Sequence, residues 1–335
     1  MAEPSYKIES YPNADKPKML FSAPYEFFPE NLKNHLTENY DVTFAFNAPR
    51  DKVMELLPGT KIWFTGTCPP YFMDKEMIDA SASLKIMATP STGTNHLDVQ
   101  HAESKKIEVI SIKESPVIEQ IYASSEFSFS LLLAMVNKVP FAVEQAKQGV
   151  WREKEHEFRS IELNGKTIGL IGYGRIGRKM ARFSESFGMK ILAYDPFKNI
   201  ETSYVNEVDN LDDLLAQSDI VSLHLHLNDE TKGMFDKTYF DKMKDGAYFL
   251  NTARGEIVDE QAMLDALQSG KLKAAAVDVI SEEHEKDKLN HPVIQYAREH
   301  NNLLVTPHIA GCTVDSESKA AKDVIRQIEE YLAKN

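Results

Sequence analysis

The chain is poor in cysteine. Cys68 and Cys312 are the only two among 335 residues, too few for a disulfide framework or a cysteine-ligated zinc site. No metal is expected, and a reduced, cytoplasmic protein is the expected class. Long apolar runs are also missing. The longest, from Phe127 to Val136, is interrupted by Ser128 and Ser130 and is too short to span a bilayer. The opening segment, MAEPSYKIESYPNADK, has no apolar core, so no secretory leader is expected. Positive charge is in deficit: 38 Lys and Arg face 51 Asp and Glu, a net charge of −13. No basic patch reverses this locally, so neither nucleic acid nor anionic membrane is an expected partner. Gly and Pro number 15 each, with 42% apolar and 27% charged residues. That excludes collagen-like, low-complexity and wholly disordered chains.

What is present is an alternation. Short apolar runs at Met19–Ser22, Val42–Phe46, Ile62–Thr65, Ile86–Thr89 and Val109–Ile112 read as strands. Between them, Pro29–Glu38, Asp51–Leu57, Asp74–Ala82 and Leu97–Lys105 carry helical spacing. Strands separated by helices predict a parallel sheet with crossover connections. Pro116–Val150 reads as a long helix broken at Pro140, a natural connector between two domains. A second series follows at Thr167–Ile171, Ile191–Tyr194, Ile220–Leu223, Tyr248–Asn251, Ala275–Val279 and Leu303–Thr306. This predicts a complete doubly wound sheet, and hence an α/β protein of two domains. The last segment, Thr313–Lys334, reads as a helix that returns to the first domain. No internal repeat and no long linker is found.

The clearest local motif is Gly172-Tyr173-Gly174-Arg175-Ile176-Gly177, which follows one strand pattern and opens a helical one. A Gly-rich turn alone means little; this context fits a dinucleotide site. Gly172 permits the tight turn, Gly174 lets a pyrophosphate approach the backbone, and Gly177 lets helix and strand pack closely. The helix N-terminus supplies unpaired N–H groups and partial positive charge for the phosphates. Asp195 ends the next strand, 18 residues after Gly177. Its carboxylate suits ribose hydroxyls and repels a 2′-phosphate, and no Arg follows it, so NAD is expected over NADP. Downstream, Arg254, an acidic cluster after Asp278 (Glu282, Glu283, Glu285) and His308 stand at or beyond strand ends. Hydride transfer between a hydroxyl and a carbonyl needs a base and a cation, and these groups supply both. Each also has a plainer reading, as an ion pair, a solvated loop or a structural histidine.

Taken together, seven stretches resemble the D-isomer-specific 2-hydroxyacid dehydrogenases. They are Ser91–Asp98, Leu170–Gly177, Ala193–Pro196, Ser218–His224, Phe249–Asp259, Ala275–Val279 and Val305–Gly311. The resemblance implies a flavodoxin-like substrate-binding domain, 1–117 plus 311–335, with an inserted NAD-binding domain at 118–310. A cleft between them would close on substrate. It implies Arg254 for the substrate carboxylate and carbonyl, His308 as acid and base, and Glu283, five residues after Asp278, as the partner of His308. Thr92, Gly93 and Asn95 would hold the substrate carboxylate from the other domain. The cofactor would be held by residues 172–177, Asp195, His224, Leu225, Thr252, Ala253, Asp278, His308 and Gly311. A homodimer formed through the cofactor domain is implied, with a small 2-hydroxy or 2-keto acid as substrate.

Departures from the family pattern are informative. His226 stands where Pro is usual, and reads as solvent-facing. The loop Thr65–Phe72 lacks the Arg that phosphoglycerate dehydrogenases place there, although Gly93-Thr94-Asn95 resembles their version of that motif. Binding a phosphate without a cation is costly, so a phosphorylated substrate is not expected. Tyr71 and Phe72 read either as an aromatic pocket lining or as core. Cys312 reads as packing. No regulatory domain is expected after His308. A corepressor-like NAD sensor is the alternative of a different class, opposed by the lack of a disordered tail beyond the first 15 or so residues. Formate dehydrogenases share the architecture but carry Gln where Glu283 stands.

Overall fold

The structure is a computed structural model that describes residues 6–26, 28–67, 69, 71–283 and 287–335. Cys68 and Glu285 lie outside the described residues. The chain divides into two units, Met1–Ile121 with Cys312–Asn335, and Tyr122–Gly311. The first crossing thus follows Ile121, four residues beyond the expected 117/118 boundary, and the return follows Gly311.

In the first unit six strands form one sheet: β1 (Lys7–Tyr11), β2 (Lys18–Phe21), β3 (Asp41–Phe46), β4 (Ile62–Phe64), β5 (Ile86–Thr89) and β6 (Glu108–Ser111). Their order is β1-β3-β2-β4-β5-β6. All pairs are parallel except β1 with β3. The central strands are buried throughout, as strands covered on both faces must be. The helix Val314–Lys334 lays Ala320, Ala321, Val324, Ile325 and Ile328 into the core with Met19, Phe21, Phe64 and Ile86. Each large aliphatic side chain so buried contributes roughly 1.5–3 kcal/mol, which returns the chain's end to its first sheet.

Strand β1 corrects the expectation of a disordered N-terminal tail. Its residues are mostly exposed, so no apolar run marks it. It forms because the edge of β3 offers unpaired backbone groups. Tyr11 packs on Phe44, and Ser10 bonds Thr43.

The second unit holds a seven-stranded, wholly parallel sheet: β7 (Thr167–Ile171), β8 (Lys190–Tyr194), β9 (Asn206–Glu207), β10 (Ile220–Leu223), β11 (Ala247–Asn251), β12 (Leu272–Val277) and β13 (Leu303–Val305). The order is β13-β12-β11-β10-β7-β8-β9. β9, two residues long and exposed, has no apolar signal either. The predicted long helix is three pieces: a 3-10 turn Pro116–Gln120, then helices Ala123–Val136 and Val139–Lys147. The break falls at Lys138, in the left-handed region at φ 53°, two residues before Pro140. Among the described residues no single helix is long and apolar enough to cross a membrane.

Candidate active site

The turn after β7 is built as its glycines require. Gly172 has φ +92°, and a Cβ there would meet the carbonyl oxygen of His224 at 2.5 Å. A Cβ on Gly177 would collide with the carbonyl of Gly172. Around Gly174, by contrast, nothing lies within 4 Å of that position, and Gly174 caps the helix Arg175–Ser186 with no side-chain cap bond. Two glycines are therefore demanded by the protein's own packing. The third opens space before a helix N-terminus whose first N–H groups point outward, which is the cradle a pyrophosphate needs. Tyr173 is buried beside it, and Arg175 and Ile176 are half-buried.

Asp195, just past β8, is half-buried. Its Oδ2 accepts the Tyr173 N–H at 2.9 Å and its Oδ1 the Phe197 N–H at 3.0 Å. These bonds pin the carboxylate beside the fingerprint while leaving lone pairs for further donors. After β10, His224 donates its backbone N–H to Ile171, and its Nε2 lies 2.9 Å from Ser222 Oγ. Leu225 lies against Gly172. His226 is exposed, and its carbonyl accepts from Thr231.

Burial pushes the His224 imidazole down to about 3, from an ordinary 6.5. Below the ordinary value the unfolded chain takes a proton that the folded chain refuses. Stability is therefore expected to fall as the pH drops from 6.5 toward 3, and to be independent of this group above 6.5. His224→Asn should flatten that slope in urea-unfolding midpoints measured from pH 7 to 4; an unchanged slope would refute the assignment.

The ends of β11, β12 and β13 carry the remaining groups. Asn251, buried at the end of β11, accepts the Ala253 N–H with Oδ1 at 3.0 Å and donates from Nδ2 to the Arg254 carbonyl at 2.9 Å. It shapes the turn that presents Arg254. Thr252 is buried, its hydroxyl 2.6 Å from that of Ser128, and Ala253 is buried with it. Arg254 is half-buried and donates from Nη1 to the Ala253 carbonyl at 2.7 Å. The next residue, Gly255, has no room for a Cβ, because the backbone of Ile280 and Ser281 occupies it. The Arg254 turn therefore sits directly on the segment that leads to Glu283.

That segment is clamped from behind. Glu260 accepts the Ser281 N–H with Oε1 at 2.7 Å and the Ser281 hydroxyl with Oε2 at 2.5 Å. Its Oε2 also lies 3.4 Å from His291 Nε2. Glu282 then adopts a left-handed conformation, φ 53°, and is exposed. Glu283 faces His308, with its oxygens 2.9 and 2.8 Å from Nδ1. Of the two described among the three neighbouring acids weighed from sequence, Glu283 is the one that meets His308; Glu285 lies outside the described residues.

Asp278, expected beside the cofactor, also has a structural part. Its carboxylate, 1% exposed, is given to the turn that carries His308. Oδ1 accepts from the Thr306 hydroxyl at 2.5 Å and the Ile309 N–H at 3.0 Å, and Oδ2 accepts from the Ala310 N–H at 2.8 Å. The His308 N–H bonds the Asp278 carbonyl at 2.8 Å. These bonds stabilise the left-handed backbone of His308, φ 54°, a conformation costing about 1 kcal/mol or more outside glycine. Gly311 follows the turn and is exposed. Asn251 and Glu260 were not singled out from sequence. Their only local signal is proximity to Arg254, since their partners are set by the fold.

In the first unit, the loop after β5 carries Thr92 and Gly93, both half-buried, and Asn95, exposed. Ser91 closes the loop by donating to the Gly93 carbonyl at 2.5 Å. Tyr71 is half-buried and packs against the core, and burial pushes its phenol up to about 12. Phe72 is exposed, and Cys312, also exposed, forms no disulfide. Among the described residues no group of three His, Cys, Asp or Glu could hold a metal ion.

The comparisons agree on one family. The description "D-isomer specific 2-hydroxyacid dehydrogenase, NAD binding domain" matches residues 129–310. The chain is 33% identical over 297 residues to a hydroxypyruvate reductase of Thermotoga maritima, covering 88% of this chain and 92% of that protein. It is 36% identical over 270 residues to a D-3-phosphoglycerate dehydrogenase of Archaeoglobus fulgidus, covering 78% of this chain but 49% of that longer protein. Among solved structures, the acyclic imino acid reductase Bsp5 in complex with NADPH and D-Arg is 28% identical, with a TM-score of 0.77, covering 95% of this chain and 97% of that one.

Proposed function

Since this chain belongs to the D-isomer specific 2-hydroxyacid dehydrogenases, an NAD-dependent oxidoreductase family, we propose that it interconverts a small D-2-hydroxyacid and its 2-keto acid, with His308, Glu283 and Arg254 as its working groups. The observation that carries this reading is the His308–Glu283 contact at 2.8 Å, beside the Arg254 turn at the strand ends of a dinucleotide-binding sheet. Ligands of such sheets bind at that edge.

Bound NADH supplies the hydride; the chain supplies everything else. The space at Gly174 and the helix N-terminus behind it suit the pyrophosphate, and Asp195 suits ribose hydroxyls. Arg254 binds the substrate carboxylate with its planar fork and polarises the C2 oxygen. Glu283 accepts the Nδ1 proton of His308 and so makes Nε2 the proton-exchanging nitrogen. In reduction Nε2 gives its proton to the C2 oxygen, and in oxidation it takes it back. Glu283 stabilises the imidazolium in both directions. Thr92, Gly93 and Asn95 are proposed as further carboxylate contacts.

We also propose NAD over NADP, on the Asp195 carboxylate; a reducing, cytoplasmic setting, on the two cysteines; and a homodimer. Exposed Val139, Val143 and Trp151, the last 69% exposed, give the second unit an apolar surface suited to self-association. Sedimentation of the purified chain reads the last directly.

The test is NADH oxidation across a panel of 2-keto acids, from glyoxylate, pyruvate and hydroxypyruvate to branched, aromatic and phosphorylated members, repeated with NADPH. Turnover with NADH above NADPH is expected for at least one acid. Silence across the panel with NADH still bound would overturn the reading and favour an NAD-sensing role. Preference for phosphohydroxypyruvate would favour the phosphoglycerate dehydrogenase reading.

A further inference from the structure

Both members of the His308–Glu283 pair stand on backbone that has to be held. His308 is itself left-handed, φ 54°, and Glu283 follows a left-handed residue, Glu282, φ 53°. Outside glycine such conformations persist only where the surroundings impose them. Under His308 the buried carboxylate of Asp278 does this with three hydrogen bonds. For Glu283 the corresponding group is a second carboxylate, Glu260, which no step of the proposed reaction uses. Glu260 opens the helix Glu260–Ser269, with its side chain 15% exposed. Negative charge is favoured at that end of a helix.

Glu260 holds the chain on both sides of Glu283. Before it, Ser281 gives up both its donors, the N–H to Oε1 at 2.7 Å and the hydroxyl to Oε2 at 2.5 Å. After it, His291, its side chain 11% exposed at the start of the helix Pro292–Glu299, brings Nε2 to 3.4 Å from Oε2. The other ring nitrogen, Nδ1, is buried with no hydrogen-bond partner among the described residues. A proton of the neutral ring would be a stranded donor there, so it belongs on Nε2, facing the carboxylate. Ser281 is also where the Arg254 turn arrives, since a Cβ on Gly255 would lie 2.3 Å from the Ser281 nitrogen. One stretch of chain, Arg254–Glu260, therefore grips Ser281 at two points, and Ser281 stands two residues before Glu283.

We infer that Glu260 is a positioning residue of the reaction: it sets the segment Ile280–Glu283 so that the Glu283 carboxylate meets Nδ1 of His308, and its contribution to turnover passes through Glu283 alone. The assignment rests on the oxidoreductase reading above. A carboxylate suits the task. Its two oxygens accept from the N–H and the hydroxyl of one residue at once, which determines that residue's rotation as well as its place. Without it the Ser281 N–H loses its acceptor, and the segment is held from the Gly255 side only. Glu283 then keeps its charge but loses its aim, and a hydrogen bond of 2.8 Å does not survive a displacement near 1 Å. Arg254 is spared, because Asn251 shapes its turn through the Ala253 N–H and the Arg254 carbonyl. Binding and turnover are therefore expected to separate.

The experiment is a double-mutant cycle between Glu260→Ala and Glu283→Ala, read as kcat and KM for the best 2-keto acid of the panel, as NADH affinity and as melting temperature. Glu260→Ala should lower kcat at least about tenfold, within the loss of about 10²-fold that displacements near 1 Å impose. KM for the keto acid and NADH affinity should stay within about twofold, as for a group that acts on the chemical step. In the Glu283→Ala background the same substitution should cost no more than about twofold, because the group it positions is gone. Glu260→Gln still accepts from the Ser281 N–H and donates to the Ser281 oxygen, so it should recover most of kcat. Losses that multiply in the double variant, or a KM and NADH affinity that worsen with kcat, would make Glu260 a general support of the fold and overturn the assignment. So would wild-type kcat in Glu260→Ala, or no recovery in Glu260→Gln. If Glu260→Ala does not fold, Ser281→Ala, which removes the hydroxyl bond and keeps the backbone one, takes its place in the cycle. A kcat loss of at least about threefold that vanishes beside Glu283→Ala is then expected, and full activity or a multiplying loss overturns the assignment. Silence of wild type across the panel overturns the oxidoreductase reading, and this assignment with it.

Discussion

His308→Gln is expected to lower kcat by about 10²–10⁴-fold, the range supplied by a positioned acid and base, with NADH binding retained. Among the described residues nothing else at the ends of β11, β12 and β13 replaces it. Glu283 is acceptor-only when ionised, and the Asp278 carboxylate is committed to three donors. Gln keeps the size of the ring's polar end but exchanges no proton. Glu283→Gln should cost less in kcat and should shift the pH profile, because the imidazolium loses its counter-charge at 2.8 Å. The profile of kcat/KM should move toward lower pH for reduction, where protonated His308 is the reactive form. Stopped-flow NADH oxidation on the best acid of the panel measures both. Retained turnover in His308→Gln would remove His308 from the reaction.

The second large effect concerns a residue that contacts no substrate. Gly255→Ala places a methyl group into the backbone of Ile280 and Ser281. Backbone on both sides cannot rotate away, so the Arg254 turn and the segment to Glu283 must separate. Loss of at least about 10²-fold in kcat/KM is expected, since displacements near 1 Å at a reacting centre cost that much. A fall in stability of about 1–3 kcal/mol accompanies it, typical of overpacking. Gly174→Ala is the control that makes the result specific. Its Cβ meets nothing within 4 Å, so the fold should keep its melting temperature while NADH affinity falls. Equal melting temperatures and activities for Gly255→Ala and wild type would show that the close approach is not required.

How much of this was legible in one dimension follows from the range of the interactions. The central strands could be read closely because a strand buried on both faces must be a continuous apolar run, as in Ile86–Thr89. The fingerprint could be read because its three glycines act within six residues. β1 and β9 could not, since exposed edge strands owe their existence to a neighbour's backbone. Tyr71 had two readings from its type alone, and only the fold shows it half-buried with one side against the core.

The same division holds at the site. Sequence by itself determined the parallel α/β class, the dinucleotide turn, and that Arg254 and His308 stand just past strand ends; Glu283 was singled out from its neighbours only by the family resemblance. Only the tertiary structure decided which of the clustered acids faces His308. It alone set the Asp278 carboxylate under the His308 turn, and packed Gly255 on Ile280. It alone brought the Glu260 carboxylate to Ser281. The physical reason is common to all four. A strand or a glycine turn is selected by neighbours along the chain, whereas a hydrogen bond or a close backbone contact across 21 to 32 residues exists only after the sheet has brought its partners together.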